Sequence, residues 1–164
     1  LDISRLEAGQ PVGNRQPADI LSIIEDAVAL VKPVSENKQQ SMSIKSPASL
    51  PAVTVDSEMI RRVITNLLEN ATKYSPAGSR ILVGTDQAEK SIEVWVQDNG
   101  PGIPASEHER IFNKFTQVGV RDKATGLGLG LAYCKLAIQA HAGRIWVESE
   151  PGNGARFIFN LPIA

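Results

Sequence analysis

The chain is short of the residues that most often announce a site. It has one cysteine, two histidines and only 5% aromatic residues in 164 positions. A single thiol, Cys134, excludes an internal disulfide and cannot by itself build a thiolate metal site. It falls among apolar neighbours in "LAYCKLAIQA", where a small buried residue is the expectation. Charge of one sign is missing as well: the formal net charge is −1, without the basic excess of a nucleic-acid or anionic-membrane surface. No apolar run approaches the roughly 18 residues of a membrane span, and no signal peptide is read at the start. Repeats and low-complexity tracts are absent from the sequence. What remains is an ordinary globular composition, 42% hydrophobic and 21% charged, long enough for one domain with a real core.

The patterning sets out the elements. "LDISRLEAG" begins without methionine in mid-pattern and reads as the last turns of a helix from upstream, stopped at Gly9, so the chain is expected to be an excised fragment. A linker is expected over residues 10–17, carrying Pro11, Gly13 and Pro17. "ADILSIIEDAVALV" then puts Ile20, Ile23, Ile24, Ala27, Val28 and Val31 on one helical face. "SMSIKS" alternates like a short strand, and "SLPAVTVD" reads as an extended lead-in to a helix capped by Asp56 or Ser57. That helix, over about 57–74, carries the stripe Ile60, Val63, Ile64, Leu67, Leu68 and Ala71. "RILVGTDQ" and "SIEVWVQD" read as a hairpin around "AEK". A turn, "NGPGIP", precedes a short helix in "ASEHERIFNKF"; the polar stretch "TQVGVRDKAT" leads to a glycine cluster that opens the helix "LAYCKLAIQAHAG". "RIWVESE", a "PGNG" turn and "ARFIFNLPI" close the chain. Interleaved helices and hairpin strands predict a helical layer on a mixed sheet.

Three stretches carry chemistry. In "NLLENATKYSP", Asn66, Asn70 and Lys73 fall along one flank of the core stripe at 100° per residue, with Tyr74 between them and the stripe. Asparagine is a mediocre helix former, so two at i and i+4 suggest a task outside the helix. Amide oxygens are hard ligands for Mg²⁺, an ammonium meets phosphate, and a tyrosine face can cover a base. Solvated helix positions with a half-buried tyrosine are the plainer reading of the same pattern. In "DNGPGIP", Asp98 can accept from an exocyclic amine, while Gly100 and Gly102 allow a tight turn and a close ligand; a simple Asx turn is the alternative. In "TGLGLGL", residues 125–131, glycines at a helix mouth suit phosphate oxygens, though a flexible hinge would look alike. Its spacing is neither that of a Rossmann fingerprint nor that of a P-loop.

Together and in this order the three resemble the ATP-binding catalytic domain of sensor histidine kinases, within the wider family of gyrase, the heat-shock chaperone and mismatch-repair ATPases. "NLLENATKYS" resembles the family's asparagine box, "DNGPGIP" and "TGLGLGL" its two glycine boxes and "FNKF" its phenylalanine box. "LDISRLEAG" resembles the end of the dimerisation helix that precedes such a domain, a segment that anti-sigma serine kinases of similar fold lack. The resemblance implies an α+β fold: a two-layer sandwich of the Bergerat type, with a mixed sheet of about five strands backed by three helices. It implies residues 1–9 as the end of the dimerisation helix, 10–17 as linker and 18–164 as the ATP-binding domain.

The same resemblance implies roles for residues. Asn70 is the main Mg²⁺ ligand, and Asn66 supports the metal or its waters. Lys73 reaches the phosphates, Tyr74 packs on adenine and Asp98 bonds its amino group. Gly100, Gly102 and Ile103 belong to the base pocket. Phe112 and Phe115 anchor a lid, expected to be unordered without nucleotide, that ends near Thr125. Gly126, Leu127, Gly128 and Leu129 form the phosphate turn. The first glycine of the family's second glycine box is replaced by Ala124, and Gly130 extends the run by one place. Arg110, Lys114, Arg121 and Lys123 could add phosphate contacts, against the plainer reading of a polar loop.

Hydrolytic relatives use a glutamate four residues before the metal asparagine; here that residue is Asn66, and an amide cannot take the proton from water. Transfer to another acceptor is therefore expected. The two histidines, His108 and His141, are not expected to be that acceptor: His108 reads as solvent-facing, His141 as a helix-end cap or packing residue. The implied acceptor is a histidine on the upstream dimerisation domain, with a response regulator receiving the phosphoryl group next. The expected setting is cytoplasmic, in a homodimeric parent that is often membrane-anchored, with neither nucleic acid nor direct membrane contact by this chain. A non-catalytic nucleotide-binding or docking module of the same fold is the alternative.

Overall fold

The structure is a computed structural model that describes residues 3–9, 12–113 and 130–163. Helix α1, Ile3–Glu7, stops at Gly9, whose φ of +73° suits a residue without Cβ. Strand β1, Gln16–Ala18, lies in the stretch read from sequence as linker; it pairs antiparallel with β3, Val53–Val55, Gln16 opposite Val55 and Ala18 opposite Val53. Its three residues show no alternation to betray a strand, because the pairing partner lies far along the chain.

Helix α2 runs Ile20–Asn37, six residues past the apolar stripe. Asp19 caps its start, accepting from the Leu21 N–H at 3.1 Å. Pro33 lies inside the helix without ending it. Its ring leaves the Ala29 carbonyl without a helical donor, and both residues are exposed, so water can meet that oxygen. Helix α3, Ser57–Tyr74, occupies the residues its periodicity predicts. Asp56 is the N-cap, accepting from the Met59 N–H at 3.2 Å. The stripe from Ile60 to Ala71 is buried throughout.

Five strands form the main sheet in the order β2-β4-β5-β7-β6: β2 Ser41–Lys45, β4 Arg80–Gln87, β5 Ser91–Gln97, β6 Ile145–Ser149 and β7 Ala155–Pro162. β2 and β4 are parallel and the other pairs antiparallel, so the sheet is mixed. Helix α4, Gly130–Ala140, packs on α3 and also contacts α1. α2, α3 and α4 cover one face of the sheet, and Ile81, Val83, Val94, Val96, Phe157 and Phe159 meet them in one core. This is the two-layer sandwich that the resemblance implies.

The described part of "ASEHERIFNKF", residues 105–113, does not form a helix of regular turns. It holds two short 3₁₀ turns, Ala105–Glu107 and Arg110–Phe112, joined by the Arg110–Glu107 ion pair at 2.8 Å. Pro104 at its start and burial of Ile111 and Phe112 after only two turns leave no length for an α-helix to propagate. Cys134 is fully buried, as expected, and burial pushes its thiol up to about 12.

Candidate nucleotide site

The site begins where α3 ends. Asn66, Asn70, Lys73 and Tyr74 are all partly exposed on the flank beside the buried stripe. Asn66 Nδ2 donates to the carbonyl of Gly130, the first residue of α4, at 3.3 Å. The asparagine flank therefore faces the end of the second glycine cluster. The Lys73 ammonium stands 5.2 Å from the Tyr74 ring centroid, a cation–π pair at the last turn of the helix.

Strand β5 delivers Asp98 to the same place. Its side chain is buried, and Oδ1 accepts from the Gly100 N–H at 2.9 Å and from the Ala155 N–H at 3.0 Å. Both bonds end on Oδ1, which among the described residues leaves Oδ2 for an outside donor. Burial raises the Asp98 carboxyl above its ordinary value, and the two backbone N–H bonds pull it part of the way back.

The glycines beside Asp98 are required by close backbone approach. A Cβ on Gly100 would stand 2.9 Å from the Tyr74 carbonyl oxygen. Gly102 has φ +80°, and a Cβ there would meet the Glu150 carbonyl oxygen at 2.2 Å. Ser75, just past α3, accepts from the Asn99 N–H at 3.1 Å, which bonds the helix end to the Asp98 turn. Ile103 is half-buried, and its N–H donates to Ser149 Oγ at 2.7 Å. Phe112 is buried edge-on against Phe157, 6.2 Å between ring centroids, which ties the start of the phenylalanine box into the core.

One partner of this turn escaped the sequence reading. "PGNG", residues 151–154, looks like a plain hairpin connection, yet it packs backbone to backbone against residues 98–102. The Gly152 N–H donates to the Pro101 carbonyl at 2.6 Å, and a Cβ on Gly154 would meet the Asp98 carbonyl oxygen at 2.2 Å. Ser149 Oγ closes the unit by donating to the Gly154 carbonyl at 2.7 Å. Two glycines within four residues were the available signal, and in the structure both have φ above +70°.

Phe115, Thr125, Gly126, Leu127, Gly128 and Leu129 lie outside the described residues, as do Lys114, Arg121, Lys123 and Ala124. His108 departs from expectation: it is half-buried, and its Nε2 donates to the Ile103 carbonyl at 2.9 Å, because the 3₁₀ turns fold it back on the Asp98 loop. His141 is buried as a packing residue, as expected. Its Nδ1 donates to the Ala137 carbonyl at 2.7 Å, and its Nε2 accepts from the Asp56 N–H at 3.1 Å.

The residues present suit a nucleotide with Mg²⁺. A buried carboxylate with one uncommitted oxygen matches an exocyclic amine. Among the described residues no group of three histidines, cysteines or carboxylates could hold a metal alone. A metal here would have to rest on few protein oxygens plus phosphates and water, the arrangement Mg²⁺ prefers.

A family model described as histidine kinase-, DNA gyrase B- and HSP90-like ATPase matches residues 55–164. The chain belongs to this ATPase family. Within the family it is similar to sensor kinases. It is 40% identical over 149 residues to the adaptive-response sensory kinase SasA of Synechocystis sp., covering 90% of this chain and 39% of that protein. It is 39% identical over 163 residues to the alginate biosynthesis sensor protein KinB of Pseudomonas aeruginosa, covering 99% of this chain and 27% of that protein. The chain thus spans about two fifths or less of these relatives. Full-length ShkA in complex with AMPPNP superposes with TM-score 0.88 at 29% identity, over 99% of this chain and 34% of ShkA. The catalytic domain of histidine kinase ThkA superposes with TM-score 0.82 at 25% identity, over 92% of this chain and 97% of that domain. The chain is therefore an ATP-binding catalytic domain of the sensor histidine kinase type, with the Bergerat fold.

Proposed function

We propose that this ATPase-family domain binds Mg–ATP and presents the γ-phosphate to a histidine on a dimerisation domain, for relay to a response regulator. The observation that carries the reading is Asp98: a buried carboxylate held by two backbone N–H groups, with Oδ2 left for the adenine amine. Tyr74 lies beside that turn and would cover the base, and Lys73 would meet the phosphates. Asn70, with Asn66 in support, would hold Mg²⁺. When bound, that ion neutralises phosphate charge and orients the chain for in-line attack.

No hydrolytic base is supplied by Asn66, whose amide donates to Gly130 and has no proton-accepting power near neutral pH. Nor is His141 suited to receive the phosphoryl group, since both its ring nitrogens are bonded to backbone partners, and the His108 ring is half-buried and tied by Nε2 to the Ile103 carbonyl beside the proposed base pocket. The acceptor is accordingly assigned to a separate domain, with α1 and the following residues 10–17 leading from it and 18–164 acting as the catalytic unit. The proposed setting is cytoplasmic, where ATP is plentiful; no helix among the described residues is long and apolar enough to cross a membrane.

The test is calorimetric titration of ATP with and without Mg²⁺, followed by supply of a histidine-bearing dimerisation domain and detection of acid-labile phosphohistidine. Binding followed by transfer supports the proposal. Binding without transfer favours a nucleotide-sensing module, and no binding at millimolar ATP rejects both.

A further inference from the structure

The end of α3 is gripped by residues that none of the nucleotide motifs contains. α2 ends at Asn37, and Gln39 turns the chain with φ +56°. That left-handed residue sets Lys38 and Gln40 side by side against the last turn of α3. The Lys38 ammonium donates to three carbonyls there: Thr72 at 2.7 Å, Ser75 at 3.1 Å and Lys73 at 3.4 Å. Gln40 Nε2 donates to Thr72 and Ser75, each at 3.0 Å, and to Pro76 at 3.3 Å. The Lys38 carbonyl in turn accepts from the Gly78 N–H at 2.9 Å.

Two physical facts give this clamp its force. The last carbonyls of a helix have no helical donors, and they carry the negative end of the helix dipole. An ammonium set among them meets both needs, and it does so from a different element, so it fixes the helix end in space as well as terminating it. Gln40 is buried, which makes its bonds hard to replace with water.

The gripped residues lead directly to the site. Lys73 and Tyr74 belong to the clamped turn. The Tyr74 carbonyl packs against Gly100, and Ser75 Oγ accepts from the Asn99 N–H, next to Asp98. We propose that Lys38 and Gln40 are positioning residues for nucleotide binding: they hold the α3 end in register with the Asp98 turn, so that Lys73, Tyr74 and Asp98 address one ligand. The inference rests on the ATP-site reading above, and neither residue is assigned a contact with nucleotide.

The experiment uses this chain with Lys38→Met, Lys38→Arg and Gln40→Met, and Asp98→Asn in parallel. ATP affinity is measured by calorimetry at a temperature where thermal unfolding shows each variant folded. Lys38→Met is expected to weaken ATP binding about tenfold while folded, as a displaced binding group does. Lys38→Arg, which restores a charged donor, should recover most of the loss. Amide resonances of Lys73, Tyr74, Asn99 and Gly100 should shift together in Lys38→Met before ATP is added. A merely structural lysine would lower the unfolding temperature and leave affinity and those resonances unchanged, which would overturn the inference. If Lys38→Met does not fold, Lys38→Gln, which keeps an N–H donor without the charge, carries the same comparison. Should the unaltered chain bind ATP and lose it in Asp98→Asn while all clamp variants bind normally, only this inference falls. Should the unaltered chain fail to bind ATP, the site reading falls first and the inference with it.

Discussion

Asp98 accepts from the Ala155 N–H at 3.0 Å, so the carboxylate at the end of β5 is bonded to the first residue of its neighbour β7. The sheet itself therefore aims the group proposed to recognise the base. Its position is set by the neighbouring strand as well as by its own turn, through the Ala155 and Gly100 N–H groups.

Replacing that carboxylate separates binding from stability. In Asp98→Asn the new amide oxygen could still accept from Gly100 and Ala155, but the new NH₂ would face the adenine amine, donor against donor. Asp98→Asn is expected to weaken ATP binding by about 1.5–3 kcal/mol, the range for a hydrogen bond to a charged group. Its stability should be unchanged or higher, because burial disfavours the charge it removes. Calorimetry and urea unfolding on the same sample check both halves. A large loss of stability would mean that the carboxylate is structural.

Asn70→Asp changes the charge balance with little change of size. Without Mg²⁺ the new carboxylate repels phosphates, and with Mg²⁺ it offers the ion a stronger oxygen. ATP affinity should fall more in the absence of Mg²⁺ than in its presence. Equal losses in both conditions would remove Asn70 from the metal site.

The hairpin glycines allow a controlled pair of substitutions. Gly152 has φ +87° with nothing within 4 Å of an added Cβ, so Gly152→Ala carries backbone strain alone, about 1 kcal/mol. Gly102 has φ +80° and a carbonyl oxygen 2.2 Å from the added Cβ, so Gly102→Ala should cost about 2–5 kcal/mol. Denaturant midpoints at constant slope read the difference. Equal midpoints would show that the 98–102 and 151–154 turns do not pack as described.

His141 gives stability a pH dependence. Burial lowers its folded value below 6.5, outweighing the Ala137 bond that raises it. Between 6.5 and that lower value the unfolded chain binds more protons, so stability is present above 6.5 and is lost as pH falls through the window. Asp98 acts in the opposite sense: above its raised folded value the buried charge costs stability, and acid relieves that cost. His141→Gln, which keeps a donor and an acceptor, should flatten the histidine's part of the profile. Thermal unfolding from pH 8 to 5, native chain against variant, isolates it.

Much of the architecture was legible. The stripe of α3 from Ile60 to Ala71 is strong because every member meets the same core, and Asp56 marks its start with a side chain whose only need is a nearby N–H. The β4–β5 hairpin was equally plain, from alternation in "SIEVWVQD". β1 was not, since three residues acquire their meaning from Val53–Val55. The last six residues of α2 were not, since they lie beyond its apolar stripe and include Pro33, which a helix tolerates when the freed carbonyl meets water. In the site, Asn66, Asn70, Asp98 and Gly102 stood out by residue type in unusual places. Lys38, Gln40 and the 151–154 turn did not, since their partners lie 34, 32 or some 50 residues away.

The sequence alone determined which chemistry is available: two amides and an ammonium on one helix flank, a carboxylate after a strand, and glycines where backbones must approach. These are properties of side chains and local dihedral angles, and local order expresses them. Tertiary structure decided their mutual distances. Burial of Asp98, its bond to Ala155 and the seat of α3's last turn on Lys38 and Gln40 come from contacts between distant segments, which form only when a shared core draws those segments together.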